Sequence, residues 1–196
     1  MTQKNRFDDG KRFLQSLGFD NVSHSKRTLF HHLVATGMLL QDWGCCENTC
    51  LAGLVHAIYG TESFRYRTGL LDHREAVQNV IGAPAERIAW LFGICTGKSL
   101  WNQFSSLDTS ANQHSQHALT HRTTAEDLPC DGSELLALAN ITFANAIDQA
   151  QHLPDRYDAA KLDTLRCLLP FIPPGGVEAF NLLSHQRRIS MAIASP

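Results

Sequence analysis

The chain is poor in charge. Lys and Arg number 17 and Asp and Glu 19, together 18% of 196 residues, and the net charge is −2. Without a basic excess there is no electrostatic footprint for nucleic acid or an anionic membrane, so neither is an expected partner. Long apolar runs are missing too. None approaches the roughly 18 residues of a membrane span, and residues 1–10 hold no apolar segment of the signal-peptide kind. The expectation is a soluble, cytoplasmic protein. No Cys-x-x-Cys occurs among the six cysteines, Cys45, Cys46, Cys50, Cys95, Cys130 and Cys167. Cys46 and Cys50 share a helix face, but no second pair at ligand spacing completes a zinc site, so the six read as free thiols of the core. Period-two alternation is nearly absent and no internal repeat is visible, which argues against a β-rich or solenoid class.

What is present is enough apolar material for a core, 43% of the AVILMFWYC set, arranged with helical spacing. Phe7, Phe13, Leu14 and Leu17 predict a helix over 6–17. Leu29, Leu33, Leu39, Leu40 and Trp43 form a stripe over 28–43. Leu51, Leu54, Val55 and Ile58 mark a helix over 47–59 that Gly60 ends. A loop over 60–71 precedes helices at 72–80 and 84–97, the latter with Pro84 in its first turn. Asp131 and Glu134 form a capping arrangement for a helix over 133–150, and further helices are expected near 155–169 and 176–192. The class is all-α, one domain over 1–196, with a core of about 24–150 and C-terminal helices over 155–192. Residues 98–128 hold few apolar side chains and read as a polar gap, a lid or a mobile excursion.

Ten histidines are unusual for this size. At 100° per residue His32 falls inside the stripe of Leu29, Leu39 and Leu40, whereas His31 turns toward solvent. His56 lies at the border of its stripe, beside Ala52 and Tyr59. A buried ring without a partner costs about 1–3 kcal/mol. The two rings could therefore meet between packed helices and share a metal, a substrate or a water, or each could be satisfied by a carbonyl or hydroxyl. His114, His117 and His121 are spaced i, i+3, i+7 and would share one face if 110–125 were helical. They would then be a candidate Zn²⁺ or Ni²⁺ site, against the alternative of exposed polar residues.

Two segments, His32-Leu33-Val34-Ala35-Thr36-Gly37-Met38-Leu39-Leu40 and Leu51-Ala52-Gly53-Leu54-Val55-His56-Ala57-Ile58, together resemble the start of an HD-domain phosphohydrolase. The similarity is nearest to the branch that hydrolyses the guanosine alarmones. The run from Glu86 to Lys98 resembles that branch's helix ending in a Thr-Lys step, and Leu136-Ala137-Leu138-Ala139-Asn140 resembles its last ligand-bearing helix. The resemblance implies an HD-like helical bundle with a divalent metal, Mn, Fe or Zn, on His32, His56 and Asn140. The pattern departs from the family at Ala57 and Asn140, where the family has Asp, and at Gly60-Thr61, where the alarmone branch has an acidic pair. A standard alarmone hydrolase is therefore not expected.

The run from Ser23 to Leu33, with Ala52 to Glu62, also resembles an uncharacterised HD-like family lacking the same Asp. That resemblance gathers a proton-transfer set of His24, Tyr59 and Glu62, with Arg27, Thr61 and Arg65 as substrate-binding residues. Glu62 could also supply the missing carboxylate to a metal. The expected function is an HD-like small-molecule enzyme related to hydrolases, acting on an anionic substrate. The alternative is a non-catalytic HD-like module that binds a nucleotide or other anion. An HD-type iron oxygenase is a third option, weakened by the same missing carboxylates.

Overall fold

The computed structural model describes residues 3–62, 64, 73–107 and 115–194. Helix α1 (Gln3–Ser16) leads through a short 3-10 turn into a tiny hairpin, β1 (Ser23–His24) and β2 (Arg27–Thr28). Helices α2 (Leu29–Asp42), α3 (Glu47–Val55), α4 (Arg74–Ile81), α5 (Ala83–Ile94) and α6 (Gly97–Ser106) follow. A second hairpin, β3 (Gln116–Thr120) and β4 (Asp127–Asp131), precedes α7 (Gly132–His152), α8 (Ala159–Thr164) and α9 (Pro174–Ala194). The protein is mostly helical, as the spacing of its apolar residues predicts. Among the described residues no helix is long and apolar enough to cross a membrane.

Helix α2 packs along α3 and α7, and α3 also packs on α5. Leu33, Leu40, Leu54, Val55, Leu91 and Leu138 are each fully buried there, and each such side chain stabilises the fold by about 1.5–3 kcal/mol. The α2/α3 crossing is close because Gly37 and Gly53 sit in it. A Cβ on Gly53 would lie 2.3 Å from Leu40 Cδ1. Local signals set the helix ends, and the capping arrangement expected at Asp131 forms. Thr28 caps α2 by accepting from the His31 N–H, and Asp131 with Glu134 forms a complete capping box on α7.

Three expectations need correction. The helix predicted over 47–59 stops at Val55, and residues 56–60 form a fully buried turn that closes with Gly60 at φ 69°. The helix over 84–97 ends at Ile94, where Cys95 becomes extended. The polar gap over 98–128 contains helix α6 and the β3–β4 hairpin. Few apolar residues suffice there because they sit where they bury: Leu100, Phe104 and Leu119 are 6%, 1% and 0% exposed. The thiols are free; Cys50, Cys95 and Cys130 are buried, but Cys46 and Cys167 are exposed.

The β1–β2 hairpin turns on Ser25 and Lys26, with φ 49° and 62°. A two-residue turn left-handed at both positions follows the right-handed twist of its strands and usually employs Asn or Gly. Here two ordinary side chains take it at a cost of about 1–2 kcal/mol each. The register pairs His24 with Arg27, so both stand at the N-terminal end of α2.

Candidate functional site

The site begins with His32, 1% exposed in the middle of the helix layer. A buried imidazole needs partners. Its Nδ1 donates to Oδ2 of Asp148 on α7 at 2.6 Å, and Arg27 Nη2 from β2 donates to the same carboxylate oxygen. Burial alone would raise the Asp148 carboxyl. The hydrogen bonds from His32 and Arg27 outweigh it and hold the group below the usual carboxylate range.

Two further imidazoles flank His32. The His24 ring centroid lies 4.7 Å away and that of His56 5.1 Å away, the latter edge-to-face at 84°. His56 Nδ1 donates to the Gly53 carbonyl at 2.8 Å. Burial, then repulsion from His32, lowers His56 to about 3, with the Gly53 bond opposing. Burial, followed by repulsion from His32 and Arg27, lowers His24 to about 4. Both rings are therefore neutral at pH 7. Phe64 packs edge-on to His24 and Phe92 edge-on to His56, at 5.0 and 5.2 Å.

These rings line a cavity of about 950 Å³, within the size range of small-molecule sites. Phe64, Phe92 and Trp101 supply aromatic wall, and Thr142, Asn145 and Gln149 present the polar face of α7. Lys26, Arg156 and Glu62 are the charged, exposed members of the lining. Two buried polar atoms of lining residues, His24 Nε2 and Thr142 Oγ1, have no hydrogen-bond partner. Such atoms ask for a ligand or water.

Of the residues singled out from sequence, His24, His32, His56, Thr61 and Glu62 line this cavity. Glu62 also accepts the Gly97 N–H at the start of α6, at 2.8 Å. Arg27 stands behind His32, engaged with Asp148, so it positions the site through that carboxylate. Tyr59 is 3% exposed and turns away, donating to Glu86 at 2.7 Å. Asn140 is two turns of α7 short of Asp148. Its Nδ2 donates to the Leu136 and Phe171 carbonyls, its Oδ1 accepts from Cys45, and it does not line the cavity. Arg65 and His114 lie outside the described residues. His117 is on strand β3, bonded to Ser115 and Gln103, and His121 accepts two turn N–H groups from Thr123 and Thr124. No helical three-histidine face forms from these.

A divalent metal on His32, His56 and Asn140 is not a fit for these residues. Among the described residues no three His, Cys, Asp or Glu side chains are grouped to hold a metal ion. The carboxylate nearest the imidazoles is neutralised by the Arg27 guanidinium, which removes the negative charge a dication needs.

Sequence reasoning missed Asp148. The signal was a carboxylate in a mostly apolar helix, one turn from the polar Asn145 and beside the buried Ala144 and Ile147. Buried carboxylates are almost never left unpaired. The family model of a domain of unknown function (DUF6817) matches residues 13–96, a span that contains His24, Arg27, His32 and His56 but ends before α7. No curated protein and no solved structure matches the chain.

Proposed function

We propose that this is an HD-like domain acting as a small-molecule enzyme, related to hydrolases, in which His32 is the general base. The reading rests on one observation: a buried carboxylate, itself fixed by a guanidinium, holds Nδ1 of a cavity-lining imidazole at 2.6 Å. Asp148 fixes the tautomer and ring orientation and stabilises the imidazolium when Nε2 takes a proton from a water or a substrate hydroxyl. Arg27 keeps Asp148 ionised and in place. The neutral His56 and His24 rings beside it lower the local polarity without adding a competing cation. Phe64, Phe92 and Trp101 give the reacting group an apolar wall on one side.

A positioned base of this kind contributes about 10²–10⁴-fold in rate. The test is a hydrolase screen with ester, amide and phosphoester panels on the whole protein. A hydrolysed substrate whose turnover falls by about 10²-fold or more in Asp148→Asn, with the fold retained, is the expected result. Unchanged turnover in that variant would remove His32–Asp148 from the reaction.

A non-catalytic module that binds an anion is the second reading, favoured by Lys26 and Arg156 in the cavity lining. Its mark would be stabilisation by an anionic compound without turnover, lost in Lys26→Ala.

A further inference from the structure

The chemistry of the ligand follows from which ring atoms are already committed, on the reading of this cavity as the reaction site. His32 Nδ1 donates to a carboxylate at 2.6 Å and His56 Nδ1 to a backbone carbonyl at 2.8 Å. Neither acceptor can give a proton back, so both rings are fixed as Nδ1–H tautomers. Arg27 donates to the same carboxylate, which holds Asp148 in place as the acceptor for that ring. In the neutral ring the nitrogen left on each, Nε2, is a lone pair. No described residue donates to either one, and both residues line the cavity.

Helix α7 presents the opposite polarity. Tyr157 Oη donates to Gln149 Oε1 at 3.1 Å, and Gln149 Nε2 donates to Asn145 Oδ1 at 2.9 Å. This one-way chain ends on the Asn145 Nδ2 amide group, a donor that is left for a ligand. Thr142, one turn earlier, adds a buried hydroxyl without a partner. The cavity therefore offers two acceptors on α2 and the α3 turn, and a donor on α7.

We propose that the cavity binds a neutral head group that donates two hydrogens, one to Nε2 of His32 and one to Nε2 of His56, and accepts from Nδ2 of Asn145. A vicinal diol and a primary carboxamide both carry that pattern. A fully deprotonated oxyanion such as sulfate does not: it has no hydrogen for the two lone pairs and would leave both buried rings unsatisfied. Lys26 and Arg156 are exposed at the rim, so a negative tail belongs there and not beside His32.

Two matched pairs of probes separate donor recognition from shape: benzamide against N,N-dimethylbenzamide, and vicinal cyclohexanediol against its dimethyl ether. Each is titrated into the whole protein by ligand-observed NMR and by thermal shift. At least one parent compound binds, about ten-fold or more tighter than its methylated partner, and the pair that shows the difference identifies the source of the donors. Asn145→Leu, with unchanged circular dichroism, removes that binding. Equal binding of parent and methylated probes, or no binding of either parent, would overturn the inference. So would displacement of the probe by sulfate, which has no hydrogen to donate, or stoichiometric Mn²⁺, Fe²⁺ or Zn²⁺ lost in His32→Ala. Donor preference without turnover leaves this inference standing and the proposed reaction fallen. Turnover that depends on Asp148 without donor preference does the reverse.

Discussion

Asp148 sets its Oδ2 2.6 Å from Nδ1 of His32, across 116 residues of sequence, with Arg27 on the same oxygen. All three are largely out of water, at 3%, 1% and 19% side-chain exposure. Removing the carboxylate charge strands a guanidinium in a poorly solvated place. Breaking one partner of a buried ion pair costs about 3–5 kcal/mol, so Asp148→Asn should lose about 3 kcal/mol, because Arg27 keeps partial access to solvent. Urea unfolding followed by circular dichroism measures it. A loss under about 1 kcal/mol would mean the pair is a surface contact in energetic terms.

Acid should weaken the fold before the buried Glu86 and Asp148 titrate. In the unfolded chain His24 and His56 take up protons near 6.5; in the folded chain they do so only near 4 and near 3. Between those values the unfolded state holds more protons, so stability rises with pH and falls as pH drops from 6.5. The groups facing His56 are His32, His24 and Asp148, and the Gly53 carbonyl bond and Asp148 oppose the shift without overcoming burial. Glu86 and Asp148 are held below their ordinary values of 4.5 and 3.8, so their contribution is lost only further down. Over pH 6 to 4.5 the slope should approach about 1.4 kcal/mol per pH unit for His56 alone. Unfolding free energies at pH 7.5, 6 and 5, chosen about this window, test it; a flat profile would mean these rings are solvated.

How far the sequence reached is clearest at α2 and α7. Helix α2 was readable because its information is local: the leucine stripe and one histidine inside that stripe. The structure brings His32 and His56 to a 5.1 Å ring separation. The carboxylate was not readable by register. Aligning the Leu-Ala run puts weight on Asn140, whereas which polar residue of α7 meets His32 depends on how α7 lies on α2 and on where β2 delivers Arg27. That contact spans 121 residues, and no local periodicity carries it. The β3–β4 hairpin escaped for another reason. Its strands are five residues each, and only Leu119 and Cys130 are fully buried, too few to register as alternation.

Gly93 is a further point where packing decides the site. A Cβ there would lie 2.8 Å from the Gly60 carbonyl oxygen and 3.1 Å from Tyr59 Cβ. Both belong to the tight turn that follows His56, and a backbone carbonyl cannot rotate aside. Replacing a helical glycine with alanine normally gains about 1 kcal/mol, but overpacking costs about 1–3 kcal/mol. Gly93→Ala should therefore be net destabilising by about 1 kcal/mol and should shift the His56 turn. Thermal unfolding gives the first and the His56 ring resonances the second. A stabilised variant would show that the turn yields freely.

Tyr59 separates a structural role from a catalytic one. Its hydroxyl donates to Glu86 Oε1 at 2.7 Å, inside a network in which Arg74 binds both carboxylate oxygens at 2.7 Å and Gln78 adds a third donor at 2.9 Å. Arg74 in turn lies 4.4 Å over the Trp90 ring. Burial and then the Glu86 bond push the Tyr59 phenol up, which keeps it protonated and useless as a proton carrier at neutral pH. Tyr59→Phe leaves Glu86 with Arg74 and Gln78, so the loss should be about 1–2 kcal/mol, typical of one hydrogen bond to a charged group. Glu86→Ala strands Arg74 and Tyr59 together and should cost about 3 kcal/mol or more. Turnover of a substrate found for this protein should be the same in Tyr59→Phe as in the parent below the unfolding transition. A fall of about ten-fold or more would return the phenol to the reaction.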